Sequence, residues 1–190
     1  MRTFGRDELL TFLRQIDEQL KTPVAMEIVG GAAALLAYGA RSPTKDIDSL
    51  AAIDERIREA SQHTSLAIPL DRAAVADPPY NYEDRRRHLR VRFRNLSIWV
   101  PERHDLLLMK AVRAARHDLE VLEEMHRAKP FKLDVLVERF DNEMGQATID
   151  PQVFKLQFLH IVERLFGPSS ARTVGMKGRP KSKRRGSGKL

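Results

Sequence analysis

The feature that most constrains the fold is a fixed order of residues near the start of the chain. An apolar run over residues 24–29 leads to the pair Gly30-Gly31. An alanine-rich stretch over 32–38 follows, closed by Gly39, and then comes Thr44-Lys45-Asp46-Ile47-Asp48. Residues 24–29 have the length of a strand, 32–38 read as a helix able to lie close to a sheet, and 47–53 read as the next strand. Side chains two apart on a strand point the same way, so Asp46 and Asp48 project together while Ile47 turns into the core. Two adjacent carboxylates repel unless a cation lies between them, and hard oxygen ligands suit Mg²⁺ (or Mn²⁺). Gly30-Gly31 falls where a strand meets a helix N-terminus. With no side chains there, phosphate oxygens can approach backbone N–H groups and the positive end of the helix dipole. A phosphate cradle beside an acid pair is what transfer from a nucleoside triphosphate requires.

The surrounding pattern supplies a scaffold. Leu9, Leu10, Phe12, Leu13, Ile16 and Leu20 recur at helical spacing over residues 6–20, and Pro23 ends that helix. Asp54 reads as the cap of a helix reaching about Ser61. Pro69, Pro78 and Pro79 mark residues 70–84 as loop. Over residues 88–100, Leu89, Val91 and Phe93 alternate with Arg90, Arg92 and Arg94, which predicts two strands turning at Asn95. The single Trp99 reads as core at a strand end. Beyond Pro101 the periodicity is helical over 106–115, 118–127, 133–144 and 152–166, the last capped by Asp150 with Pro151 in its first position. The expected architecture is α/β (α+β): a mixed sheet with flanking helices over residues 1–101, a helical segment over 102–166, and a tail over 167–190.

Composition narrows the function classes. There is no cysteine, which excludes disulfides, thiol nucleophiles and cysteine-based zinc sites and suits a reducing cytoplasm. No apolar run approaches the roughly 20 residues that span a bilayer, so the expectation is a cytoplasmic protein with no membrane partner. The net charge of +7 belongs to the tail: of 33 basic residues eight fall within 172–190, leaving 25 against 26 acidic side chains in the rest. A Gly-, Ser- and Lys-rich tail of this kind is expected to be disordered. It is either an arm for a nucleic-acid backbone or a solubilising terminus. The six histidines lack zinc-ligand spacing, and neither a Gly-x-Ser-x-Gly elbow nor a P-loop occurs.

The run Gly30-Gly31-Ala32-Ala33, Arg41 and Thr44-Lys45-Asp46-Ile47-Asp48 resembles the signature of the DNA polymerase β-like nucleotidyltransferase superfamily. It is closest to the abortive-infection (AbiEii-type) toxin branch and its uncharacterised relatives. That branch also tends to show a leucine-rich helix with a lysine followed by a basic-Asp-Leu segment, here Asp105-Leu106-Leu107-Leu108-Met109-Lys110 and Arg116-His117-Asp118-Leu119. The resemblance implies a nucleotidyltransferase fold whose helical segment completes the active site. It implies that Gly30, Gly31, Thr44 and Arg41 bind the nucleotide and that Asp46 and Asp48 ligate the metal. Lys110 would neutralise the triphosphate, and Asp118 would orient Lys110 or act on the acceptor hydroxyl. The reaction implied is transfer of a nucleoside monophosphate from an NTP to a hydroxyl of RNA (a tRNA 3′ end) or of a protein, as in the toxin of a toxin–antitoxin pair with its cognate antitoxin.

Two departures accompany the resemblance. The second signature position, often serine, is Gly31. The third carboxylate that many members place on a later strand is replaced by arginines in the expected strand 89–94, so either Asp118 substitutes or the site is weak or dead. Arg85, Arg86, Arg87, Arg90, Arg92 and Arg94, with Tyr80 and Tyr82 near them, read either as a basic face for an RNA acceptor or as a solvated strand face. The competing reading is a catalytically silent nucleotidyltransferase fold that binds nucleic acid or a protein partner.

Overall fold

The structure is a computed structural model that describes residues 2–74 and 76–177. Strand β1 (Val24–Glu27) lies parallel to β5 (Leu96–Val100), and β4 (Arg87–His88) pairs antiparallel with β5. A second parallel pair joins β2 (Ile47–Ser49) to β3 (Leu70–Arg72). The two pairs meet through an antiparallel bridge between Ile28 and Ser49. There the Val29 N–H donates to the Asp48 carbonyl at 2.9 Å and the Leu50 N–H to the Glu27 carbonyl at 3.1 Å. The result is one mixed surface in the order β3-β2-β1-β5-β4.

The helices are α1 (Arg6–Gln19), α2 (Gly30–Ala37), which packs on β2, α3 (Glu55–Ser61), α4 (Arg103–Arg113), α5 (Arg116–Ala128), and α6 (Leu133–Glu143), α7 (Pro151–Phe166) and α8 (Pro168–Lys177), which pack on other helices. The expected caps are present. Asp54 accepts from the Arg56 N–H, and Asp150 accepts from the Gln152 and Val153 N–H groups. Leu9, Phe12, Leu13 and Ile16 form the buried stripe of α1. Helix α4 is instead buried on all sides from Arg103 to Val112, with Leu106, Leu107 and Leu108 wholly buried at its centre and charged residues toward its two ends. One continuous apolar cluster runs from Phe4 to Val162. The helical half is therefore built onto the α/β half through a shared core, with α4 and α5 against α2.

Three expectations are corrected. Residues 70–84 are not all loop, because Leu70–Arg72 forms β3; the flanking prolines sit outside the paired residues. The strand expected over 89–94 is absent, and an irregular loop joins the two-residue β4 to β5. Asp17 at the end of α1 accepts hydrogen bonds from the backbone N–H groups of Arg94 (2.7 Å), Asn95 (2.7 Å) and Leu96 (2.8 Å), so these groups are taken up by a side chain at the entry to β5 and are not free to pair with residues 89–93. Burial opposes ionisation of Asp17, yet these three donors hold its carboxyl below the usual range. Finally, the tail expected from 167 begins as helix α8, packed against α7. Residues 178–190, with most of the basic cluster, lie outside the described residues. Among the described residues no helix is long and apolar enough to cross a membrane.

Candidate active site

The acid pair is held as strand alternation requires. Ile47 and Ser49 are buried, while Asp48 and Asp46 are half-buried on the opposite face. Gly30, the first residue of α2, has φ +66°, and a Cβ there would stand 3.1 Å from Asp48 Oδ2. Glycine satisfies both demands at once: the left-handed backbone and the close approach. A Cβ at Gly31 would stand 2.8 Å from Thr44 Oγ1. The Thr44 hydroxyl thus occupies the space that a side chain at position 31 would enter, and it also lies 3.4 Å from Asp46 Oδ1. The missing serine hydroxyl and the Thr44 hydroxyl are two sides of one packing choice.

A residue that sequence reasoning missed completes this face. In the parallel β2–β3 register Asp48 stands directly opposite Asp71, so the two carboxylates share a face. Asp71 is exposed. The signal was the dipeptide Leu70-Asp71 after Pro69, hidden by reading the proline-flanked segment as loop. Burial raises the Asp48 pKa, with Asp46 and then Asp71 adding to the rise and Arg113 and Lys110 opposing it. Like charges crowded in this way are under-compensated by the protein alone.

The opposing cations come from α4. Lys110 is buried and donates to Asp118 Oδ1 at 2.8 Å. Arg113, also missed from the sequence, forms a fork on the same carboxylate, with Nε to Oδ2 and Nη2 to Oδ1 both at 2.8 Å. Burial would push Asp118 up, but Arg113 and Lys110 hold it below the ordinary range. Asp118 has no exposed surface and both its oxygens are occupied. That geometry suits orienting the two cations and leaves no free oxygen for an acceptor hydroxyl. The turn that brings α5 back toward α4 passes through Ala114 at φ +45°, the one non-glycine residue with positive φ among those described.

Arg41 is not brought to this cluster. It follows the C-terminus of α2, a helix about 12 Å long, whereas the glycines open the N-terminus. Its backbone N–H donates to Glu124 Oε2 at 2.7 Å, and it lines a separate cleft of about 410 Å³ with Gly39, Glu124, Arg127 and Ala128. The arginine-rich segment is likewise divided. Arg85 is tied to Asp105 and Glu143, and Arg86 to Glu27. Arg87, Arg90, Arg92 and Arg94 are exposed. Trp99, expected in the core, is 36% exposed at the outer face of β5.

The donor set fits a hard divalent ion. Among the described residues no three Asp, Glu or His side chains are gathered tightly enough to enclose an ion by themselves. Mg²⁺ held by one or two carboxylates is completed by substrate phosphates and water, and Asp46 with Asp48 offers that partial shell.

A family described as "Nucleotidyltransferase of unknown function (DUF6036)" matches residues 7–164. The chain belongs to this family. No curated protein and no solved structure matches it. The nucleotidyltransferase match spans both the glycine–aspartate motif of β1–α2–β2 and the Lys110–Asp118 segment of α4–α5. The family supports a general nucleotidyl-transfer function for the chain.

Proposed function

We propose that the protein is a metal-dependent nucleotidyltransferase that moves a nucleoside monophosphate from an NTP to a hydroxyl of RNA, such as a tRNA 3′ end, or of a protein. The observation that carries this reading is the closeness of Gly30 to Asp48, with Asp46 and Asp71 on the same face and the Lys110–Arg113 pair opposite. Asp46 and Asp48 would hold Mg²⁺ or Mn²⁺. Bound there, the ion supplies charge neutralisation on the phosphates and orientation of the attacking oxygen. The backbone at Gly30 and Gly31, with the Thr44 hydroxyl, takes phosphate oxygens at the N-terminus of α2. Lys110 and Arg113, fixed by Asp118, stabilise charge on the triphosphate. The acceptor oxygen forms a new bond to the α-phosphorus, the bridging bond to the β-phosphate breaks, and pyrophosphate leaves with that electron pair. Asp71, exposed beside Asp48, is placed to accept the acceptor proton.

Closeness to the AbiEii-type toxins, a toxin–antitoxin role with a cognate antitoxin, and a cytoplasmic setting belong to this proposal on the strength of the signature alone. An RNA acceptor is supported by the exposed Arg87, Arg90, Arg92 and Arg94. The silent-fold reading drew on the missing third carboxylate; against it, Asp71 offers a carboxylate opposite Asp48 in the β2–β3 register. The test is incubation with each α-³²P-labelled NTP, Mg²⁺ and total tRNA beside an Asp46→Asn/Asp48→Asn control. Label on RNA or protein that disappears in the control supports the reading. Absence of label on both, together with absence of Mg²⁺-dependent NTP binding, removes it.

A further inference from the structure

One buried charge is left over by the site described above. Glu27, the last residue of β1, is 8% exposed. Its Oε1 is fully buried without any hydrogen-bond partner among the described residues, while Oε2 accepts a single 3.2 Å bond from Arg86 Nη1. Burial raises its pKa against the opposing pull of Arg86. A buried carboxylate oxygen with no donor costs the full desolvation of that atom, and nothing in the packing of β1 requires a glutamate there.

Its surroundings have the chemistry of a base-stacking platform. In the parallel register Glu27 stands directly opposite Trp99. The Arg86 guanidinium lies over the Trp99 ring, 5.7 Å from its centroid, and His88 meets the same ring edge-on at 5.3 Å. Arg86 is thus a planar group within cation–π range of an indole while donating an N–H to a carboxylate. Through the Ile28–Ser49 bridge, Val29 is opposite Asp48 and Leu50 opposite Glu27. Glu27 therefore shares the sheet face of Asp48, two residues or about 7 Å along the strand.

We infer that Glu27, Trp99 and Arg86 form a guanine-binding subsite next to the acid pair, with Arg86 occupying the place of the base until a ligand arrives. Guanine stacks on Trp99 and presents two adjacent donors, N1–H and the exocyclic amine, one to each carboxylate oxygen. That satisfies Oε1, which a single Arg86 N–H does not. Arg86, on the protein surface, is free to swing toward a phosphate. The base belongs either to GTP as substrate or to a guanosine at the end of an RNA acceptor. The inference rests on the nucleotidyl-transfer reading for its biological meaning but not for its test.

Trp99 is the only tryptophan of the chain, so its fluorescence reports on this position alone. Titration with GTP·Mg²⁺, with guanosine, and with a short RNA ending in G or in U is expected to quench Trp99 for guanine ligands, after correction for their absorbance. Quenching by GTP and guanosine assigns the base of the substrate; quenching by the G-ended RNA alone assigns the acceptor. Glu27→Gln leaves the reporter in place and is expected to weaken guanine binding about 10- to 100-fold. Trp99→Ala, followed by calorimetry, is expected to cost a similar factor. Arg86→Ala is expected to strengthen the binding of phosphate-free guanosine up to about fivefold, since only a modest ion pair has to be displaced; a purely structural Arg86 would not do this. Trp99 quenching that is equal for G- and U-ended RNA, or absent for every ligand, overturns the subsite, as does unchanged binding by Glu27→Gln. If ATP·Mg²⁺ still binds and depends on Asp48, the subsite alone has failed. If guanine quenches Trp99 but no NTP binding depends on Asp48, the subsite stands and the transfer reading has failed.

Discussion

Helix α4 carries charge at both ends, and the two ends treat it in opposite ways. At the N-terminal end Glu102, His104 and Asp105 are buried and fully matched. Glu102 caps the helix at the His104 N–H and receives Arg139 Nη1. Asp105 is wholly buried between Arg85 and Arg139, and Arg103 is spent on the last carbonyls of α5 at Met125 and Lys129 and on Pro130. Burial alone would raise the Glu102 pKa, but His104 and Arg139 bring it down to about 2. At the C-terminal end the accounts do not close within the protein. Lys110 and Arg113 satisfy Asp118 and still face Asp46 and Asp48, where Asp48 is pushed up rather than down. Charges that complete one another hold the helix in the core; charges left in tension mark where a ligand must complete the set.

Breaking the matched end has the largest expected effect. Asp105→Ala removes the wholly buried carboxylate that Arg85 and Arg139 share, leaving them only Glu143 and Glu102, and a loss of about 3 kcal/mol, the low end for a broken buried pair, is expected from denaturant unfolding. Asp48→Asn acts at the other end and should do the reverse. Mg²⁺–NTP affinity falls by at least about 100-fold in calorimetry, while stability at neutral pH is unchanged or higher. The sign follows from the raised folded-state pKa of Asp48. Its carboxyl favours the folded state when protonated, below the ordinary carboxylate range, and that contribution is lost as pH rises through the folded pKa. The stability difference between Asp48→Asn and the parent chain is therefore expected to shrink as the pH is lowered. An Asp48→Asn chain that is less stable at pH 7 would place Asp48 with the structural charges.

Smaller changes sharpen the same contrast. Gly31→Ala forces a Cβ against the Thr44 hydroxyl, and thermal melts should show a loss of about 1–3 kcal/mol. Part of it should return when Thr44→Ala is added; a fully additive double variant would show that the two positions do not compete for one space. Ala114→Gly relieves the left-handed turn between the two cation-bearing residues and Asp118. A gain of about 0.5–1 kcal/mol is expected, net of the extra freedom glycine brings to the unfolded chain.

What was legible in the sequence follows from range. Asp46 and Asp48 were readable because strand alternation is local, and the caps at Asp54 and Asp150 because capping is local. Lys110 and Asp118 were readable through the family pattern, and the structure joins them by a direct hydrogen bond. Asp71 was not, because a three-residue strand has no periodicity of its own and is defined only by pairing with β2. Arg113 looked like any helix-surface arginine until α5 turned Asp118 toward it. The alternation at residues 89–94 promised a strand, but Asp17, more than 70 positions earlier, takes the very N–H groups that start the next one. Trp99 failed for the opposite reason: its strand is real, but its side chain falls on the outer face with Glu27.

The central claim is that Asp46 and Asp48 are completed by a metal–triphosphate ligand rather than by the protein. Calorimetric titration of NTPs into the parent chain and into Asp46→Asn/Asp48→Asn, each with Mg²⁺ and with EDTA, tests it directly. The account predicts binding that needs both Mg²⁺ and the two carboxylates. Binding that persists in EDTA or in the double variant, or its absence under every condition, would contradict it.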